Sequence, residues 1–137
     1  MKIIVSGSHG LVGKALLKSL TDDGHEVFRL VRHEPIFGAP EIWWDPSEGR
    51  IDAGRLEGHD VVVHLAGESI ASGRWTGEKK RSILESRVKG TLLLSETLAR
   101  LDEVARDFHA TGVAAKTAAA TDPLTGLANR RTFFTRL

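Results

Sequence analysis

The sequence predicts an α/β fold: a partial doubly wound parallel sheet of about four strands, then a long helix and a short C-terminal helical segment. Two observations predict this class. Short apolar, β-branched runs alternate with connecting segments in the first half of the chain, and the first run ends in a glycine-rich turn that opens a helical pattern. Right-handed crossovers would place the first strand in the middle of the sheet.

The individual strands follow from these runs. KIIVS predicts a buried strand over residues 2–6, and a helix follows it until Gly24, a helix-stop residue. Further strands are predicted over 26–32, over 42–45 before Pro46, and over 60–67, where the run DVVVHLAG is continuous and β-branched.

The chain changes character at Thr76. Apolar residues recur at helical spacing from there to about residue 104, which predicts one long helix bent near Gly90. We divide the chain into a nucleotide-binding unit over 1–100, a helical linker over 101–121, and a segment over 122–137 that restarts with a turn and a short helix.

Composition excludes several classes of function. The formal net charge of the 137 residues is +1, which argues against a nucleic-acid partner or an anionic membrane surface. The chain has no cysteine, no apolar run that could span a membrane, and no histidine spacing typical of metal sites. We therefore expect a cytoplasmic protein without a metal.

Three glycines after the first strand, Gly7, Gly10 and Gly13, predict a dinucleotide site. The first glycine permits a tight turn, the second lets backbone amides approach a pyrophosphate, and the third lets helix and strand pack closely. The intervening residues Ser8, His9, Leu11 and Val12 belong to the same predicted loop. The alternative is a glycine turn that only joins strand to helix, with His9 a tolerated loop residue.

The end of the second strand indicates which dinucleotide would bind. An acidic residue about 20 positions after the glycines would hold the ribose 2′-hydroxyl of NAD. This chain has Arg32 there, beside His33, and a guanidinium suits a 2′-phosphate. We therefore expect NADP rather than NAD, against the alternative of a solvated arginine.

The strand over 60–67 adds further candidates. Ligands of open α/β sheets bind beyond the carboxyl ends of strands, so His64, Leu65, Ala66 and Gly67 would face the cofactor. Asp60 at the start of the strand is expected to cap the adenine side. For His64 the alternative is a structural strand-end histidine.

These motifs resemble a known superfamily. GSHGLVG, LVR, WWDPSEG and DVVVHLAGESIASGRWTGEKKRSILESRVKGTLLL together are similar to the N-terminal half of extended short-chain dehydrogenases/reductases with a Rossmann-like fold, in the NAD-dependent epimerase/dehydratase branch. The resemblance implies an NADP-type cofactor at the residues above and suggests that Glu68, Ser69 and Arg87 lie near the cofactor or the substrate.

The same resemblance limits the expected chemistry. Members of that superfamily rely on a Tyr-x-x-x-Lys pair, in which the tyrosine acts as general acid and base. The chain has no tyrosine. We therefore expect an NAD(P)-binding module that is catalytically incomplete.

The last residues resemble another family. In TDPLTGLANRRTFFTRL, six positions match the opening of GGDEF (diguanylate cyclase) domains: Asp122, Leu124, Thr125, Leu127, Asn129 and Arg130. This leaves two alternatives open, a fragment of a cyclase-type signalling protein or a non-functional fusion remnant. In either case the strand over 60–67 would be an exposed sheet edge, which predicts self-association.

Overall fold

The computed structural model describes residues 1–116 and 132–135. Within them the sheet contains β1 (Lys2–Ser6), β2 (Glu26–Val31), β3 (Glu41–Asp45), β4 (Arg50–Ile51), β5 (Val61–His64) and β6 (Thr132–Thr135). The helices are α1 (Leu11–Asp22), a 3₁₀ turn (Ala53–Leu56) and α2 (Gly77–Lys116). The predicted fold class is confirmed, a Rossmann-like sheet with a long helix.

Strand order confirms the doubly wound arrangement. The sheet runs β4-β3-β2-β1-β5-β6, with β1 paired in parallel to β2 on one side and to β5 on the other. β2 and β3 are also parallel, and among the described strands only the β3–β4 pair is antiparallel. The carboxyl ends of β1, β2 and β5 therefore meet at one edge, where an open α/β sheet binds its ligand.

The core lies between the sheet and α2. Sheet side chains from Ile4, Leu30, Ile42 and Trp44 are buried against Leu93, Leu94 and Leu98 of the helix. The three leucines recur at helical spacing, so a single face of α2 covers the sheet. The helix begins after Thr76, whose Oγ1 accepts a hydrogen bond from the Lys79 amide at 3.1 Å.

Two expectations about elements are corrected. β5 is not a sheet edge, because β6 pairs with it in parallel from Val61 to His64. Residues 132–135 form a strand and not a helix, since Thr and Phe favour a strand when a neighbouring strand offers free backbone groups. The long helix predicted from Thr76 is confirmed as α2, which continues through Gly90 to Lys116 and includes residues 101–116 of the predicted helical linker.

The remaining part of the C-terminal prediction lies outside the described residues. The end of the predicted linker and the six positions that resemble a cyclase opening fall within 117–131. Among the residues that the structure does describe, no helix is long and apolar enough to cross a membrane. No cluster of three metal-ligating side chains occurs in that same part of the chain.

Candidate dinucleotide-binding site

The turn after β1 requires glycine at its first position. Gly7 has φ of +69°, which L side chains rarely adopt, and a Cβ there would lie 2.6 Å from the carbonyl carbon of Leu65. The glycine therefore lets the end of β1 turn while the chain leaving β5 passes directly against it.

The other two glycines bring α1 onto this turn. A Cβ at Gly13 would lie 2.2 Å from the carbonyl oxygen of Gly7, so only glycine fits at this position. Gly10 is the N-cap of α1, and its amide donates to the Gly7 carbonyl at 3.1 Å. Among the described residues no side chain caps the helix, and Leu11 is 92% exposed. The positive end of α1 thus lies open beside the turn, as phosphate binding requires.

The rest of the loop is partly buried. Ser8 is buried, whereas His9 and Val12 are exposed next to it. The Ser8 hydroxyl is 3.4 Å from Nδ1 of His9, and the His9 ring meets the His33 ring edge-on at 6.5 Å between centroids. The loop after β1 therefore reaches the segment that follows β2.

His64 is turned into the core, which corrects the expectation that it faces the cofactor. Its Nδ1 lies 2.6 Å from the buried Ser6 hydroxyl, and its ring meets Trp44 edge-on at 5.7 Å. Ser6 Oγ also accepts the amides of Leu65 and Ala66, at 3.1 and 3.2 Å, so its own proton must go to Nδ1. Burial lowers the pKa of His64, which keeps the ring neutral.

Asp60 also lies elsewhere than expected. Its carboxylate accepts the Lys2 amide at 2.7 Å, and its amide donates to the Lys2 carbonyl at 2.8 Å. Lys2 is the first residue of β1, so Asp60 sits at the amino edge of the sheet. The glycine turn follows the last residue of β1. It lies at the opposite, carboxyl edge, because β1 and β5 are parallel and their carboxyl ends share one edge.

Arg32 lies at the carboxyl edge, just beyond β2, and is exposed. A hydrogen bond from the Lys79 ammonium, with a smaller contribution from the Arg32 charge, holds the pKa of Glu68 below its usual range. Hydrogen bonds from Ser47, with a smaller contribution from Arg32, do the same for Asp45. The guanidinium is therefore within electrostatic reach of the last residue of β3 and of the segment that follows β5.

The chain after β5 is held by the start of α2. A Cβ at Gly67 would lie 3.2 Å from the Arg87 guanidinium, which also donates to the Glu68 carbonyl at 3.3 Å. The Glu68 amide donates to the Ser86 hydroxyl at 2.9 Å, and its carboxylate pairs with Lys79 at 2.5 Å. Ser69 follows and accepts the Ala71 amide at 3.3 Å. Arg87 and Glu68 thus fix the shape of this edge.

The site residues predicted from the sequence therefore fall into two groups, according to whether or not they line the carboxyl edge of the sheet. The glycine loop, Arg32, the 65–68 segment and Arg87 share the carboxyl edge, whereas the side chains of Asp60 and His64 do not line it. Sequence reasoning missed Ser6, Ser86 and Lys79, which hold the 65–68 segment in place. No motif marks them, since their partners in this segment are 11 to 60 residues away in sequence.

Together, the glycine turn, the open helix end and the strand order define a Rossmann-like fold with a candidate dinucleotide site at the carboxyl edge of its sheet. The family model described as the NAD dependent epimerase/dehydratase family matches residues 3–123. The chain belongs to this family, and the matched range includes nearly all of β1, the strands β2 to β5 and the helices α1 and α2.

Curated relatives agree with this assignment. An epimerase family protein of Mycobacterium bovis, Mb2239, is 39% identical over 97 residues, which are 71% of this chain and 32% of that protein. Epimerase family protein SDR39U1 of Homo sapiens is 34% identical over 102 residues, 73% of this chain and 32% of its own. The chain thus spans about a third of the length of these relatives.

Solved structures show the same fold. The human epimerase family protein SDR39U1 (isoform 2), solved with NADPH, superposes with a TM-score of 0.59 at 32% identity, over 72% of this chain and 32% of that one. A nucleoside-diphosphate sugar epimerase from Corynebacterium glutamicum gives 0.57 at 40% identity, over 73% and 20%. A short-chain dehydrogenase/reductase superfamily protein from Agrobacterium tumefaciens with bound NAD gives 0.55 at 25%, over 72% and 29%.

Proposed function

We propose that this chain binds NADP at the carboxyl edge of its sheet, with the pyrophosphate at the glycine turn and the adenosine 2′-phosphate at Arg32. The observation that carries the proposal is the open N-terminus of α1. Three glycines bring it against β1 and β5, and no side chain caps it. Its first amides are free to bind an anion.

The residues present fit each part of such a cofactor. Positions 7 and 13 tolerate no side chain, so the turn keeps the close strand-to-helix geometry that a pyrophosphate needs. Arg32 lies at the end of the second strand, the position at which other proteins of this fold contact the cofactor's ribose. Its positive charge complements the charge of a phosphate. Relatives of known structure carry NADPH or NAD, which supports a nicotinamide dinucleotide in general.

We further propose that the chain binds the dinucleotide without completing a reaction. When bound, the nicotinamide would supply hydride transfer. The superfamily's proton transfer relies on a tyrosine, and the chain contains none. His64, at the end of β5, is buried, held neutral and bonded to Ser6, so it does not replace the tyrosine.

Calorimetric titration with NADPH and NADH tests the proposal. The unchanged chain should bind NADPH more tightly than NADH. We expect Arg32→Ala to weaken NADPH about tenfold or more, since it removes a charge-assisted contact of about 1.5–3 kcal/mol, and to change NADH little. Arg100→Ala, an exposed arginine of α2, is the matched control and should bind as the unchanged chain does.

A variant of the glycine turn tests the other half of the site. Gly10→Val should abolish binding of both dinucleotides, because the branched side chain would occupy the mouth of the turn, where a Cβ already lies 3.3 Å from the Gly7 carbonyl. Equal weakening of NADPH and NADH by Arg32→Ala would refute the 2′-phosphate assignment. No response to either nucleotide would favour a non-functional remnant.

The second candidate function rests on the resemblance of residues 122–130 to a cyclase opening. The strand at Thr132–Thr135 does not match the helix that this resemblance implies. A thermal shift with GTP distinguishes the candidates, since a cyclase-type fragment that binds its substrate should be stabilised by GTP and an NADP module should not.

A further inference from the structure

A second concave region of the protein lies away from the carboxyl edge of the sheet. It is a cavity of about 630 Å³ between α2 and the β3–β4 hairpin, at the outer side of the sheet. Sites for small molecules in proteins measure about 300–1,000 Å³, so this cavity is large enough to hold one. Its lining includes no residue of the glycine loop, Arg32 or the 65–68 segment, so it is separate from the candidate dinucleotide site.

One face of α2 forms a wall of the cavity. The lining residues Leu93, Thr97, Leu101 and Val104 recur at three- or four-residue spacing, so they lie on the same side of the helix. The exposed fraction is 7% at Leu93 and rises to 66% at Val104, at the other end of this face. The cavity is therefore closed and apolar near Leu93 and opens to solvent near Val104.

The same wall carries a buried hydroxyl group without a partner. Thr97 is only 2% exposed, and its Oγ1 has no hydrogen-bond partner among the described residues. A threonine inside a helix can bond to a carbonyl three or four residues earlier, and buried polar atoms are seldom left unpaired. Rotation about the Cα–Cβ bond would let this hydroxyl donate to an oxygen atom held in the cavity. The wall therefore fits a ligand that carries an acceptor oxygen.

The charged residues of the lining are mainly basic. Arg50 of β4 and Arg100 of α2 line the cavity, and so does one acidic residue, Asp52. The Arg50 guanidinium lies over the Trp43 ring at 5.5 Å, and Nε of Arg100 donates to the Glu96 carbonyl at 3.3 Å. Within the part of the chain that the structure describes, neither arginine forms an ion pair with a carboxylate. Two cationic side chains are therefore available to an anion.

We propose that this cavity binds a small apolar carboxylate, with the carboxylate at the two arginines and the apolar body against the leucines of α2. Guanidinium groups form strong, charge-assisted hydrogen bonds to carboxylates. Thr97 and Arg100 are three residues apart on the helix, so a single carboxylate can contact both side chains. Burial of the body at the closed end removes apolar surface from water, which favours such a ligand over a small polar anion. This binding does not depend on the proposed dinucleotide site.

The test is a fluorescence titration of the full chain with anilinonaphthalene sulfonate, an aromatic anion whose emission rises when it leaves water. Phenylbutanoate and its neutral amide, phenylbutanamide, are then added as competitors of nearly equal size and shape. We expect phenylbutanoate to displace the probe, and the amide to be at least about fivefold less effective, because only the acid carries the charge that the arginines bind.

Substitutions of the charged lining residues should change the affinity for phenylbutanoate in opposite directions. Arg50→Gln and Arg100→Gln should each weaken phenylbutanoate about threefold to fivefold, whereas Asp52→Asn should strengthen it, because it removes a repelling charge. The affinity for phenylbutanamide should stay the same in all three variants. Arg81→Gln is the matched control, since it removes the same charge from an exposed position of α2 outside the cavity.

A further variant tests the buried hydroxyl. Thr97→Val replaces the hydroxyl with a methyl group of similar size, so the free chain should be equally or more stable in thermal unfolding, because no hydrogen bond is lost. The variant should bind phenylbutanoate about threefold more weakly. Unchanged affinity for phenylbutanoate in Thr97→Val would overturn the contact between the carboxylate and this hydroxyl.

The remaining outcomes separate this cavity from the candidate dinucleotide site. Excess oxidised NADP, which does not fluoresce itself, should leave the phenylbutanoate-sensitive signal of the probe unchanged. Loss of that signal would overturn the proposal, because the probe would then occupy the dinucleotide site. Equal displacement by acid and amide, or unchanged phenylbutanoate affinity in both arginine variants, would also overturn it. Failure of NADPH and NADH to bind would overturn the proposed function and leave this inference standing.

Discussion

At the scale of single residues, Ser6, which no motif marks, holds the segment after β5 in place at the carboxyl edge of the sheet. Its hydroxyl accepts two amides of the segment after β5 and donates to His64. Burial lowers the pKa of His64, so the folded chain binds fewer protons than the unfolded chain as the pH falls. This contribution to stability is complete above the unfolded pKa of histidine and declines below it.

Removing the Ser6 hydroxyl should destabilise the protein. Ser6→Ala leaves Nδ1 of a buried histidine and the Ala66 amide without their partner, whereas the Leu65 amide keeps the Ser6 carbonyl at 3.3 Å, and the expected cost is about 1–3 kcal/mol. Urea unfolding followed by circular dichroism measures the change. Ser95→Ala, which removes an exposed hydroxyl bonded to the Leu92 carbonyl, is the control and should change stability by less than about 0.5 kcal/mol. Equal stability of the two variants would contradict the role of Ser6.

At the scale of elements, α2 depends on Gly90 for its approach to the sheet. A glycine inside a helix suggested a bend from sequence alone. In the structure a Cβ at Gly90 would lie 3.0 Å from Nε2 of His64 and 3.5 Å from the Trp44 ring. Gly90 is thus where the helix passes close to the core, and no signal in a single sequence distinguishes that role from a kink.

Gly90→Ala should therefore not give the gain in stability that alanine usually gives when it replaces a glycine inside a helix. Alanine stabilises a helix interior by up to about 1 kcal/mol relative to glycine. Here His64 is held by Ser6 and Trp44 and has little freedom to move, so we expect a net loss of stability. Gly77→Ala, with nothing near its Cβ, is the control and should be neutral or stabilising. Thermal unfolding of both variants measures the difference, and a more stable Gly90→Ala would contradict the contact.

At the scale of the whole molecule, self-association stays a prediction, although its first basis is wrong. β5 has a neighbour on each side, and the outer strands of the described sheet are β4 and β6. Apolar side chains are instead exposed on α2. Leu84, Val88 and Leu92 follow each other at four-residue spacing and are 63%, 45% and 51% exposed. Such a stripe lies on one side of the helix and favours association.

Sedimentation at tens of micromolar tests this expectation. We expect the unchanged chain to sediment faster than a monomer, and the double variant Leu84→Glu, Leu92→Glu to shift toward monomer, because charges on the stripe oppose its burial. Glu85→Gln at an exposed neighbouring position is the control. A monomer for the unchanged chain would refute self-association, and an unchanged oligomer in the double variant would exclude the stripe as its cause.

The sequence by itself determined the fold class, the parallel strands, the glycine turn and the family. Each depends on local patterns, because backbone propensity and the space that glycine leaves are properties of neighbouring residues. Only the tertiary structure decided which side chains share the site. It placed Asp60 at the opposite edge, turned His64 inward, gave β5 a second neighbour and joined His33 to Glu41. Those outcomes depend on contacts between residues far apart in the chain. Strand register and burial determine these contacts, and no local pattern in a single sequence encodes them.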